Sequence, residues 1–141
     1  MRRGGAIVVN SIAAPNKPVV GGNAAITAGT GSAGAPTFNG NDMVIPLNGV
    51  ANAQYVSLAV TNVAPADSGS VASGSVRIGF LVGDVNQSRV VSIADLALVN
   101  AQLAQPVTAT NFLKDINANG TLTLADKGIT NANLTKALPA P

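Results

Sequence analysis

Asp84, Asp95, Asp115 and Asp126 stand in two pairs, each separated by eleven residues, with the second pair 31 residues after the first. Oxygen-bearing side chains fill positions 1, 3, 5, 9 and 12 of both stretches: Asp84, Asn86, Ser88, Ser92 and Asp95, then Asp115, Asn117, Asn119, Thr123 and Asp126. A hard cation such as Ca²⁺ takes about six to eight oxygens, and a twelve-residue loop completes its set with a backbone carbonyl at position 7. Val90 and Thr121 occupy that position. The chemistry expected is coordination of Ca²⁺ at two sites. Ser92 and Thr123 also precede Asp95 and Asp126 by three residues, the spacing of a capping box, so a helix is expected to start after each loop. Capping alone accounts for positions 9 and 12, but not for the Asp and Asn repeated at positions 1 and 3.

The loops differ at two places. Position 6, where a glycine makes the turn, is Gly120 in the second loop but Arg89 in the first, and a left-handed backbone costs a non-glycine residue about 1–2 kcal/mol. Ser88 replaces a carboxylate or amide at position 5, so the second loop is expected to bind more tightly. Val91 and Leu122 at position 8, and Ile93 and Leu124 at position 10, are expected to turn away from the ion and pack the loops together. Two carboxylates per loop suit the ~10⁻⁴–10⁻³ M affinities of extracellular modules. The duplication outlasts the loops, since Asn100-Ala-Gln-Leu103 returns as Asn131-Ala-Asn-Leu134 at the same offset.

The elements that position these loops read as strands followed by loop-helix units. Met43, Ile45 and Leu47, then Val56, Leu58 and Val60, then Val76, Ile78, Phe80 and Val82 alternate with period two. Pro46 marks the first of these strands as an edge or bulge site. Ile93, Leu96, Val99 and Leu103 form one face of a helix. The fold class expected is mixed: a small antiparallel β-sandwich over residues 1–82, with an extended N-terminal segment, then a calcium-binding domain over 83–141.

Composition narrows the function. With 141 residues, no His, no Cys and no Glu, acid–base chemistry would rest on six aspartates, four of them in the loops, so no enzyme is expected. A net charge of +2 from eight scattered Lys and Arg makes no basic stripe, which argues against nucleic acid. Ala6–Val9 is too short for a membrane span or a secretory apolar region.

Around Gly83-Asp-Val-Asn86 and Lys114-Asp-Ile-Asn117 the sequence resembles dockerin modules, over about residues 82–138. The resemblance implies an α-helical module with two EF-hand-type calcium loops and a cohesin-like partner. The places that meet cohesin in cellulosomal dockerins hold Ile93, Ala94, Leu124 and Ala125, closer in character to the C-terminal repeats of bacterial secreted and surface proteins. The N-terminal half is aliphatic with few charges, so few residues guard its strand edges. The function expected is an extracellular or cell-surface calcium-binding structural protein. Its partner would be itself, by strand donation into a filament, or a cohesin-like receptor.

Overall fold

The computed structural model describes the backbone of residues 5–10 and all of residues 17–140. Expectations that touch residues 1–4 and 11–16 lie outside the described residues. The chain is mostly β. Its strands are β1 (Gly5–Asn10), β2 (Val19–Ala28), β3 (Ser32–Ala33), β4 (Thr37–Asn39), β5 (Asp42–Asn48), β6 (Gln54–Pro65) and β7 (Ala72–Phe80). Two short helices follow, α1 (Ile93–Asn100) and α2 (Leu124–Ala132).

Two small antiparallel sheets and two helices of 8 and 9 residues overturn the expectation of a β-sandwich followed by a dockerin-like α-helical module with EF-hand-type loops. The reasons are local. No α-helix enters either loop: β7 runs up to the first, and only the 3₁₀ turn Phe112–Lys114 precedes the second. Each helix is also short, and the chain beyond it turns through a left-handed residue, Ala104 (φ 63°) or Thr135 (φ 70°), into an isolated β-bridge. Among the described residues no helix is long and apolar enough to cross a membrane.

The chain divides into two compact units, one of residues 79–140 with 52–54, the other of residues up to 51 with 55–78. In the β unit, one sheet is organised on β5, with β1 on one side and β3 and β4 on the other; the second sheet runs β2-β6-β7. Burial follows the period-two pattern, with Met43 and Ile45 at 0% and Leu47 at 2% exposure on β5, and Val56, Leu58 and Val60 buried on β6. Val76 of β7, expected inward, is 45% exposed.

Pro46 does not make β5 an edge strand. Its carbonyl accepts from the Gly34 N–H (2.8 Å) in the gap between β3 and β4. A residue's N–H and C=O point to the same side of an antiparallel strand. The missing donor therefore falls where the neighbouring strand is interrupted, and β1 pairs along all of Asp42–Leu47 without loss.

Asn62 makes a second irregularity useful. Between Gly21↔Ala64 and Asn23↔Thr61, β6 carries one residue more than β2, a bulge, and Asn62 takes φ 53° there. The extra residue shifts the inward phase so that Val63, 3% exposed, joins Val60 in the core. Asn tolerates that backbone and a β-branched residue does not. Asn62→Val is expected to destabilise the protein by about 1–2 kcal/mol, while Asn62→Gly stays near wild type; urea unfolding of the two variants checks this. Lys17 and Asp67 form an ion pair in the same unit, and the Lys17 hydrogen bond holds the Asp67 carboxyl below its usual range.

Candidate metal-binding loops

Both loops follow the same backbone path. At position 1, Asp84 accepts from the N–H groups of Ser88 (3.0 Å) and Arg89 (2.8 Å), and Asp115 accepts from Asn119 (3.0 Å) and Gly120 (2.9 Å). At position 3, Asn86 accepts from Ser88 N–H (2.9 Å), and Asn117 from Asn119 N–H (3.1 Å). Positive φ recurs at Gln87 and Ala118, and at Arg89 (70°) and Gly120 (85°), so the 31-residue offset extends to backbone conformation. Arg89 thus carries the left-handed strain read from the sequence, and Gly120 avoids it.

Position 12 is the deepest part of each loop. Asp95 and Asp126 are both 0% exposed. One Asp95 oxygen accepts from Val85 N–H (2.9 Å) and Asn86 N–H (3.2 Å), the other from Ser92 N–H (2.9 Å) and Ser92 Oγ (3.1 Å). Asp126 repeats this with Ile116, Asn117 and Thr123. The capping boxes expected at Ser92 and Thr123 are present. Among the described residues no Lys or Arg pairs with either carboxylate. Each loop therefore buries a carboxyl group held only by neutral donors.

The donor set fits a hard cation in kind: carboxylate, amide, hydroxyl and carbonyl oxygens, with no nitrogen or sulfur. Ser88 Oγ donates to the Val90 carbonyl at 2.9 Å, which brings the candidate oxygens of positions 5 and 7 together, while in the second loop Asn119 Oδ1 accepts from Thr121 N–H and Oγ1. Asp84 and Asp115 are half-buried, and positions 3, 5 and 7 are exposed, so a cation would reach the loops from solvent. Each position-12 oxygen already takes two donors, and direct ligation there requires releasing some of them. Among the described residues no group of three or more His, Cys, Asp or Glu side chains stands together, because each loop brings two carboxylates.

The helix faces differ from the hydrophobic reading. Val91 (1%) and Leu122 (2%) are buried as expected, but Ile93 is 79% and Leu124 72% exposed. The inward stripe begins instead with the aspartates: Asp95 and Val99 are buried at i and i+4, as are Asp126 and Thr130. Ile93 and Leu124 stand two residues before them, about 200° around the helix at 3.6 residues per turn. Val85, Val99 and Ile116 form the small core of this unit, with Val82 and Ile129 against it.

Two features had no counterpart in the sequence reading. Each loop is completed by the segment after the other repeat's helix: Val90 bridges to Ala137, and Thr121 to Pro106, again offset by 31. The backbone bonds are Val91 N–H to Lys136 (2.8 Å), Thr135 N–H to Val91 (2.9 Å) and Leu138 N–H to Arg89 (2.9 Å), with Ala104 N–H to Leu122 (2.9 Å) in the other direction. Asn52 is the second, its Oδ1 accepting from Val82 N–H and its Nδ2 donating to Asn133 Oδ1. Repetition at 105–107 and 136–138 was too weak in side chains to be read, since these segments pair through backbone.

No protein-family model matches this chain, and no curated protein matches it either.

Proposed function

We propose that the chain is a non-catalytic, calcium-binding structural protein of the bacterial exterior or cell surface that assembles with copies of itself through its β unit. The observation that carries the calcium reading is the pair of oxygen-lined loops that repeat each other's hydrogen bonds, each wrapped around a half-buried Asp at position 1 and a buried Asp at position 12. Asp84, Asn86, Ser88, Val90 and Ser92 would hold one ion, and Asp115, Asn117, Asn119, Thr121 and Thr123 the other, with Asp95 and Asp126 supplying charge at the base. The ion would contribute rigidity and charge compensation. Self-assembly draws support from the strand edges: β7 carries Arg77, but β1, β2, β3 and β4 carry no charged residue, and Lys or Glu on such edges is what keeps sheets from joining.

Calorimetric titration is expected to give two sites, the Gly120 loop the tighter. At a free Ca²⁺ concentration 100 times Kd, each site would add about 2.7 kcal/mol of stability. Zero heat and an unchanged unfolding midpoint would leave the loops as capped turns. Light scattering in millimolar calcium and in excess chelator tests assembly: long particles support it, and monomers at every concentration in both conditions refute it.

A second reading, docking onto a separate receptor through an apolar face, is favoured by Ile93 and Leu124, two large apolar side chains exposed at equivalent positions of the repeats.

A further inference from the structure

We propose that β1 is an exchangeable strand, and that copies of this chain join when β1 of one molecule pairs with β5 of the next. The inference deepens the self-assembly reading and rests on it.

Among the described residues, β1 pairs with β5 along its whole length, Gly5 to Asn10. Its place is fixed by six residue pairs, Gly5↔Leu47 through Asn10↔Asp42. The strand GAIVVN has no charge and no proline, and is rich in β-branched residues. β5 carries Met43, Ile45 and Leu47, all buried in the core of the unit, so the slot beside it must be filled.

The side of β5 that faces β1 is also the donor-complete side. Because Pro46 points its backbone toward the gap between β3 and β4, the residues that address β1 are Met43, Ile45 and Leu47, each with an N–H. An extended strand from any source finds a full ladder there, and the source with the matching register is another β1.

Exchange swaps one ladder for an identical one, so contact energy does not decide between closed and joined forms. What decides is the concentration of competing strands against the effective concentration of a strand tethered in its own chain. Joined forms are therefore expected when copies are crowded, as on a surface. A one-way exchange leaves a free β1 at one end and an open slot at the other, and a head-to-tail contact of that kind propagates.

The test uses Val8 and Val44, which face each other across the ladder. By alternation with Pro46 they form a non-hydrogen-bonded pair, whose Cα separation of about 4.5 Å lies in the disulfide range. Val44 lies on the face away from Met43 and Ile45, and the native chain has no cysteine. Single variants Val8→Cys and Val44→Cys are mixed at increasing concentration, oxidised and separated without reductant, with the double variant in dilute solution as a control that reports the closed form. The result expected is a Val8→Cys–Val44→Cys cross-link between chains, several-fold above the Val44→Cys homodimer and rising with concentration. Association seen by light scattering without that cross-link overturns strand exchange but leaves self-assembly standing. Monomers at every concentration, with or without calcium, overturn both.

Discussion

Asp126→Ala is expected to unfold the second loop and its helix together, at a cost of about 3–5 kcal/mol. The carboxylate is 0% exposed and takes four hydrogen bonds, from Ile116 N–H, Asn117 N–H, Thr123 N–H and Thr123 Oγ1. Alanine removes every acceptor at once. Loss of a helix cap contributes about 1 kcal/mol, and each buried N–H left without a partner about 1–3 kcal/mol. Ile116 is itself in the core beside Val85 and Val99, so its N–H has little access to water. Asp126→Asn keeps one acceptor oxygen but turns an NH₂ toward two donors, and a similar loss is expected. Urea unfolding in excess chelator measures this architectural part alone. Repeating it in calcium separates the two roles: if the loop binds metal, the gap between wild type and variant widens as calcium is added, and if the loop is only a capped turn the gap stays constant.

The same carboxylates explain where sequence reading worked and where it did not. The duplication was legible because ligand-type side chains repeat at an offset of 31, and the structure carries that offset into backbone angles, caps and bridges. The inward helix face was misread because it begins on an aspartate. Hydrophobic patterning put Ile93 and Leu124 inside, whereas the capping geometry buries Asp95 and Asp126 and leaves the leucine and isoleucine in water. The inner strands β5 and β6 followed their alternation, but the bulge at Asn62 did not show, since nothing in an Asn between Thr61 and Val63 fixes a left-handed backbone. Pro46 was read as an edge or bulge marker because a proline's lost donor is visible in sequence, while the gap between β3 and β4 that absorbs it is not. The architecture of residues 83–140 was least legible, because its decisive bonds run between backbone groups of segments with no patterned side chains.

Those backbone bonds give the second large effect: truncation after Asn133 is expected to open the first loop, although the cut lies in the second repeat. Residues 135–138 supply one wall of loop one through Val91 N–H to Lys136, Thr135 N–H to Val91 and Leu138 N–H to Arg89. Without them two carbonyls and an N–H of loop one lose their partners. The three net hydrogen bonds are worth about 0.5–1.5 kcal/mol each. The left-handed Arg89 makes this loop the more strained of the two, so little stability remains to hold it closed. Hydrogen exchange is the direct readout: the amides of Ser88, Arg89 and Val91 are expected to lose protection in the truncated chain before those of Asn119 and Gly120. Equal loss in both loops would mean that the unit falls as one body. Unchanged protection at Val91 would mean that loop one is held by its own turns. If the first outcome is found, the repeats are interlocked, each loop closed by the other's tail. An ion held by the second loop would then steady the first through α2 and the strap beyond it, so that calcium occupancy of the two loops becomes coupled despite their different position-6 residues.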